Sequence, residues 1–246
     1  MKIQIMSDLH LEHHRDQGTM FLQELVCSEG AGDILILAGD IDNHKDIYET
    51  LRALETCAAW NHIIYVPGNH EYYTSNFQAM DALLKQADEK FETLHVLNDG
   101  VVEIEGQRFV GSTMWFRDSE QVMRNRHCLN DFNYIFNFRN EFADRNSKAM
   151  RFLHDNVRKD DIVITHHVPT EEFGCINEYY KGNRLNCFFV CDMLDLIVEV
   201  EPKAWIYGHT HECAHNVIGE TRMICNTMGY PHEGQGEFNI NLTMEA

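Results

Sequence analysis

The segment DILILAGD occupies residues 33–40 and consists of a short apolar run that ends in a glycine and a carboxylate. Short apolar runs bounded by turn residues predict buried strands. The pattern, an apolar run followed by polar side chains, recurs in four other segments: IQIMSDLH at 3–10, HIIYVPGNH at 62–70, DIVITHH at 161–167 and AWIYGHTH at 204–211. We therefore predict five strands whose carboxyl ends carry Asp, Asn and His side chains.

Helical periodicity separates these strands. The segments with this periodicity are residues 44–59, 76–90, 141–158 and 187–199. Apolar strands that alternate with helices predict an α/β fold with sheets covered on their faces, and ligands bind at the carboxyl ends of such strands.

Other segments read differently. VVEIEGQRFVGSTMWF, residues 101–116, predicts a hairpin with Gly106 in the turn, and residues 212–242 predict three short strands around Gly219 and Gly234. Residues 116–147 have weak periodicity, and we interpret them as a cap-like insertion over the site. We expect a single domain over residues 1–246.

Composition limits the function classes. The hydrophobic fraction of 44% is ordinary for a globular protein, and no apolar run approaches the ~18 residues of a membrane span, so we expect a cytoplasmic protein with no membrane partner. The net charge of −19 disfavours a general nucleic-acid binder. The eight cysteines form no CxxC pair and are interpreted as reduced thiols.

The polar residues at the strand ends form one candidate metal site. An Asp-x-His or His-x-His pair on an extended segment places both side chains on one face. Mixed oxygen and nitrogen ligands suit Mn, Fe, Zn or Co, and so many ligands favour two ions about 3.5–4 Å apart. The candidates are Asp8, His10, Asp40, Asn69, His70, His166, His167, His209 and His211.

These residues also resemble a known family. In chain order, the segments Asp8-Leu9-His10, Gly39 to Asn43, Gly68 to Glu71, His166 and Gly208 to His211 match the five motif blocks of the calcineurin-like metallophosphoesterases. The resemblance implies a four-layer αββα sandwich of two mixed β-sheets flanked by helices. It also implies a dimetal-dependent phosphoester hydrolase that uses a metal-bridging hydroxide.

The resemblance further implies a role for each metal-site residue. Asp8, His10 and His211 would hold one ion, Asn69, His166 and His209 the other, and Asp40 would bridge them. The ions would be divalent transition metals (Mn, Fe, Zn, Co or Ni, with Mn favoured). His70 would be the catalytic histidine, and Glu71 would orient its loop. In THHVPT the strand ends at Ile164-Thr165, which favours His166 as the ligand and leaves His167 facing away or toward substrate.

Substrate contacts follow from the same resemblance. In a bacterial and phage-like branch, the segments that match GSTMWF and CLNDFNYI lead into and cap the active site, so Trp115, Asp131 and Tyr134 are candidates. Trp115 could equally lie in the core, and Asp131 could cap the next helix. Asn43 is a further candidate.

Several phosphoesters remain possible. Protein phosphatases of the superfamily carry an arginine where His44 stands here, which disfavours that activity. The acidic charge also disfavours a nuclease. A small phosphodiester fits best, with a phosphomonoester or a catalytically silent interaction scaffold as alternatives.

Overall fold

The computed structural model describes residues 1–234 and 236–246, and this part of the chain forms two β-sheets with helices outside them. The strands are β1 (Lys2–Met6), β2 (Ile34–Ala38), β3 (His62–Val66), β4 (Leu94–Val96), β5 (Gly100–Ile104), β6 (Gln107–Ser112), β7 (Ile162–Thr165), β8 (Ala204–Tyr207), β9 (Ala214–Ile218), β10 (Thr221–Cys225) and β11 (Thr243–Glu245). The α-helices are α1 (Thr19–Val26), α2 (Ile47–Cys57), α3 (Phe77–Lys90), α4 (Glu120–Asn125), α5 (Asp131–Tyr134), α6 (Phe138–Asn156) and α7 (Leu194–Val200).

Both sheets are mixed. The first has the order β11-β1-β2-β3-β4, in which β1 to β4 are parallel and β11 is antiparallel. The second has the order β5-β6-β7-β8-β10-β9, with parallel pairs from β6 to β10 and antiparallel strands at both edges. The carboxyl ends of the parallel strands in each sheet therefore lie at one edge, as the sequence predicts.

Strand alternation builds the layers. In β2, Ile34, Ile36 and Ala38 pack into the core between the two sheets, while Leu35 and Leu37 pack into the core beneath the helices. The strands of the second sheet alternate in the same way between the inner core and an outer core that includes residues of α6 and α7. Because β2, β3, β7 and β8 are buried on both faces, each reads as a nearly continuous apolar run. The predicted four-layer αββα sandwich is confirmed.

Three predicted helices are present with shifted ends, and the fourth is wrong in most of its length. The segment predicted as a helix over 187–199 is helical only from Leu194 onward, with a 3-10 turn at Asn186–Phe188 before it. Between them, Val190 forms a parallel bridge with Val168, and Met193 N donates to the carbonyl of Pro169. These tertiary hydrogen bonds replace the helical ones.

The predicted hairpin over β5 and β6 is confirmed, with Glu105 and Gly106 in its turn at φ 49° and 84°. Of the three strands predicted over 212–242, the described residues contain two, β9 and β10, which turn at Gly219. The third predicted strand is absent from the described residues of this range, and the next strand, β11, begins only at Thr243, where it covers the edge of β1.

The 116–147 insertion is largely helical, with α4, a 3-10 turn at Arg126–Cys128, α5 and the start of α6. Its aromatic residues hold it to the body of the protein. Phe138 packs against Phe77 and Trp115 at ring distances of 5.9 and 5.4 Å. This contact places the insertion beside the carboxyl end of β3.

Candidate metal centre and active site

The polar residues that follow β1, β2 and β8 leave the extended conformation at once. Their φ angles are 53° at Asp8, 45° at His10, 55° at Asp40, 71° at His209 and 54° at His211. Asp and His adopt this left-handed region more readily than most residues, and such conformations cluster at functional sites. The expectation that each pair lies on an extended segment is therefore wrong. Turns, and not strand alternation, direct these side chains.

The first group of candidate ligands contains Asp8, His10 and His211. The Nε2 atoms of His10 and His211 lie 3.0 Å apart, and His211 Nε2 lies 3.6 Å from Asp8 Oδ1. Both carboxylate oxygens of Asp8 accept from the backbone N–H of His209 at 3.0 Å. On the other side of its ring, His211 Nδ1 lies 2.8 Å from Glu233 Oε2, which fixes the ring with Nε2 toward the group.

The second group contains Asn69, His166 and His209. His166 Nε2 lies 3.0 Å from Asn69 Oδ1 and 3.1 Å from His209 Nδ1, while His166 Nδ1 faces the carbonyl of Ala38. Asp40 joins the two groups, because its Oδ2 lies 3.4 Å from His166 Nε2 and 3.8 Å from His10 Nε2. The structure thus brings together the residues that the resemblance assigns to each ion. Their role as ligands remains a prediction.

The donor set fits a pair of divalent transition metals. Two pairs of imidazole nitrogens, one buried and one with His211 partly exposed, converge at about hydrogen-bond distance beside buried carboxylates, and imidazole with carboxylate is the ligand chemistry of such metals. Burial raises the pKa of Asp40, but the neighbouring His166 and His70 outweigh it and hold that pKa well below its ordinary value. Asp40 is therefore ionised, as a bridging carboxylate requires.

His70 lies beside both groups with each ring nitrogen engaged. Its Nδ1 lies 2.9 Å from Glu12 Oε1, its Nε2 lies 3.1 Å from the hydroxyl of Tyr230, and its ring stacks on Tyr73 at 4.2 Å. Burial lowers the pKa of His70, but the carboxylates of Asp40 and Glu12 raise it to about 9. A proton is therefore available on His70 at neutral pH.

Glu71 organises the loops around the site. Its buried carboxylate accepts from the backbone N–H groups of Asp40, Ile41 and Gly68 at 3.2, 2.9 and 2.8 Å. The loops after β2 and β3 are therefore held to each other by one side chain. The contacts agree with the expected role of Glu71 in orienting its loop.

Two cavities adjoin His70. The larger, about 760 Å³, is lined by Asp40, Asn69, His209 and His211 and by polar and aromatic residues beyond them. The smaller, about 670 Å³, is lined by Asn43, Lys45 and Tyr134, among others, and His70 lines both. Asn43 and Tyr134 therefore line a cavity beside His70, and their role as substrate contacts stays a prediction.

Trp115 and His167 do not occupy the substrate positions predicted for them. Trp115 is buried in the core against Tyr72 and Phe77, and His167 is fully buried, with Nδ1 on the carbonyl of Thr113. Among the described residues, neither lines the larger or the smaller cavity. The segments that follow β6 and β7 direct the two side chains into the protein core, where Trp115 packs against Phe138 of α6.

Asp131 is also buried, and its side chain contacts other protein residues and not a cavity. Its Oδ1 accepts from Asn69 Nδ2 at 2.9 Å and from the Tyr73 hydroxyl at 2.8 Å. It neither lines the described cavities nor caps a helix with its side chain. The predicted substrate contact is replaced by a contact with a candidate metal ligand.

Comparison with known proteins decides the family. The protein-family model described as "Calcineurin-like phosphoesterase" matches residues 1–213 of the 246-residue chain. The chain belongs to the calcineurin-like phosphoesterase family. An uncharacterized protein of Acanthamoeba polyphaga mimivirus is similar, with 28% identity over 263 aligned positions that cover 96% of this chain and 94% of that protein.

Solved structures agree with the calcineurin-like phosphoesterase fold. The phosphopantetheinyl hydrolase of Mycobacterium tuberculosis is similar with a TM-score of 0.71 and 18% identity, covering 94% of this chain and 90% of that one. The Thermus thermophilus protein TT1561 has a TM-score of 0.59 and 12% identity, covering 92% of this chain and 88% of that one. At these identities the similarity shows the fold alone.

The calcineurin-like phosphoesterases are dimetal-dependent, and the two groups described above are candidates for that centre. Within residues 1–234 and 236–246, no helix is both long enough and apolar enough to cross a membrane.

Sequence reasoning missed four residues of this calcineurin-like site. Glu12 and Tyr230 contact His70, Tyr73 stacks on it, and Glu233 contacts His211. Glu12 and Tyr73 each lie within three residues of a motif histidine, so proximity in sequence was an available signal. Tyr230 and Glu233 reach the site through the loop after β10, and Glu233 meets His211 across 22 positions of sequence.

Proposed function

We propose that this protein is a two-metal-dependent phosphodiesterase that hydrolyses small phosphodiesters. The observation that carries the proposal is the position of His70. It lies against Asp40 between the two candidate ligand groups and the smaller cavity, with its Nδ1 on Glu12 and its Nε2 facing Tyr230. A general acid placed in this way can reach the oxygen of a leaving alcohol.

Two bound cations would supply an activated water at neutral pH and neutralise the phosphoryl oxygens. Asp8, His10 and His211 would hold one, Asn69, His166 and His209 the other, and Asp40 both. Mixed nitrogen and oxygen donors accept several divalent transition metals, and availability decides which of them fills such a site in the cell; we propose Mn.

His70 performs the proton transfer. Glu12 accepts from Nδ1–H and holds the ring in place, so that the proton on Nε2 can move to the departing oxygen. The backbone N–H of His70 also donates to Asp40 Oδ1 at 2.8 Å, which fixes the histidine relative to the bridging carboxylate. The cost of expelling an alkoxide is thereby reduced.

The charge of the larger cavity favours a diester. Among the described residues that line it there is no Lys or Arg. A phosphomonoester carries about two negative charges at neutral pH, and enzymes that bind such dianions commonly grip them with Arg. A diester carries one, which two cations and His70 can neutralise.

The position of His44 disfavours a protein phosphatase. Where protein phosphatases of the superfamily carry an arginine, the ring of His44 lies with Nδ1 3.5 Å from Met80 Sδ, against α3. Lys45 in the smaller cavity is the specific observation that favours phosphomonoesters as the second candidate, since it could meet the additional charge.

The test compares hydrolysis of bis-p-nitrophenyl phosphate and p-nitrophenyl phosphate by metal-stripped protein reloaded with Mn. We expect faster turnover of the diester, and its loss in His70→Ala. Faster turnover of the monoester would move the assignment to a phosphomonoesterase. Bound metal without turnover of either ester would contradict the proposal and favour an interaction scaffold.

A further inference from the structure

The side-chain amide of Asn69 is held by hydrogen bonds on both of its ends. Its Nδ2 donates to Asp131 Oδ1 at 2.9 Å and lies 3.3 Å from the Tyr73 hydroxyl, which itself donates to the same Asp131 oxygen. Its Oδ1 faces the other way and lies 3.0 Å from His166 Nε2. The amide oxygen, the atom that binds a cation, thus faces the second ligand group.

Asp131 selects this orientation. Its carboxylate is fully buried, and Tyr73 donates its hydroxyl to the same Oδ1 atom at 2.8 Å. If the Asn69 amide turned by half a rotation, its oxygen would face an oxygen of the carboxylate without a hydrogen between them. An ionised carboxylate only accepts hydrogen bonds, so this alternative is disfavoured.

The insertion over 116–147 holds Asp131 in position through the backbone. Asp131 is the first residue of α5, and two hydrogen bonds follow directly after this helix. Thr74 N donates to the carbonyl of Tyr134, and Phe136 N donates to the carbonyl of Ser75, both at 2.8 Å. The insertion is therefore fastened to the segment that carries Asn69 and Tyr73.

We propose that Asp131 is a positioning residue of the metal centre. Together with Tyr73, it presents Asn69 Oδ1 to the ion that Asn69, His166 and His209 hold. The insertion is then a fixed part of the metal site and not a lid that closes over substrate. The inference rests on the same two-ion centre as the proposed function. Its test measures metal affinity and not activity, so its outcome does not depend on which ester the enzyme cleaves.

The test is a stepwise titration of the metal-stripped protein with Co²⁺, followed by its absorption and by calorimetry. The step that disappears in His209→Ala identifies the ion of the Asn69 group. Asp131→Leu, which has similar volume and no acceptor, should weaken that step about 10-fold to 100-fold, as loss of a ligand's supporting contact does. The other step should change by less than about 2-fold, because its ligands do not contact Asp131.

Two further variants separate positioning from general damage. Asp131→Asn keeps an oxygen that can accept from Asn69, so we expect it to recover most of the lost affinity. The control is Asp144→Leu in the same insertion, where an exposed carboxylate pairs with Lys148, and it should leave both steps unchanged.

Tyr73→Phe decides the question if Asp131→Leu does not fold. It removes one acceptor from the Asn69 amide and one donor to Asp131, and keeps the aromatic ring that stacks on His70. We expect selective weakening of the same step. Unchanged affinity in a folded Asp131→Leu or Tyr73→Phe protein, or equal weakening of both steps, would overturn the proposal.

Discussion

The carboxylate of Glu12 lies 2.9 Å from Nδ1 of His70, with only a tenth of its side chain exposed. The same Oε1 atom is 3.4 Å from Nδ1 of His10, a candidate ligand. One largely buried carboxylate therefore contacts both the proposed general acid and a candidate ligand of the first group.

Replacing Glu12 by Gln should lower kcat about 10-fold, because the uncharged amide can still accept from His70 Nδ1–H but no longer stabilises the protonated ring. The loss should be larger for diphenyl phosphate than for bis-p-nitrophenyl phosphate, since the more basic phenolate depends more on protonation. Initial rates on the two esters measure this. Glu24→Gln, on the exposed face of α1, is the control, and an equal loss on both esters would argue against the role of Glu12.

His70 and His209 should separate turnover from metal binding. His70→Ala is expected to lower diester turnover about 10²-fold to 10⁴-fold while two ions per chain remain, because the ring acts on the leaving group. His209→Ala is expected to lose one ion as well as activity. Metal analysis beside rate measurement distinguishes the two variants. Full metal content and full activity in His209→Ala would contradict the two-ion assignment.

Glu71→Ala should destabilise the metal-free protein. It would leave three buried backbone N–H groups, those of Asp40, Ile41 and Gly68, without their acceptor, and each such group costs about 1–3 kcal/mol. We expect the free energy of unfolding in urea, measured with chelator present, to fall by at least about 3 kcal/mol. Glu89→Ala, which removes an exposed helical ion pair with Lys85, should cost less than about 1 kcal/mol. Similar losses in the two variants would refute the special role of Glu71.

Gly68→Ala should abolish binding of both ions. A Cβ at this position would collide with the side-chain carboxylate and the backbone nitrogen of Asp40, so this proposed bridging residue would have to move. Titration with Mn²⁺ and a circular dichroism spectrum would show the loss of metal in a folded chain. Gly106→Ala is the control, because a Cβ there meets no described atom within 4 Å, although its φ of +84° is unfavourable for alanine. Normal Mn²⁺ binding by Gly68→Ala would show that Asp40 does not bridge.

Removing the metal should lower the thermal midpoint of unfolding. Ions that bind only the folded chain stabilise it by about 2.7 kcal/mol per site at 100 times the dissociation constant. Calorimetric scans with EDTA and with added Mn²⁺ measure the shift. His70→Ala should keep the full shift and His209→Ala only part of it. A thermal midpoint of the parent protein that is the same with and without Mn²⁺ would exclude a specific Mn²⁺ site.

The sequence by itself determined the alternation of strands and helices and the types of residue at the strand ends, and its motif blocks implied the sandwich. The strands β1, β2, β3, β7 and β8 are short, mainly apolar runs followed by polar residues, and these signals are local, so β2 and the Gly39-Asp40 turn can be predicted from a few adjacent residues. The helix prediction for residues 187–199 failed for the same reason, because local periodicity does not show that Val190 forms a β-bridge with the distant Val168.

Only the tertiary structure decided which residues support the site. Glu12 meets His70 across 58 positions of sequence, and Asn69 meets Asp131 across 62. These contacts depend on how two sheets and an insertion pack against one another. No periodic pattern in the sequence predicts them. A buried charged group is costly unless it is paired or hydrogen-bonded. The partner that each buried carboxyl group finds is set by the fold, and the local sequence does not predict it.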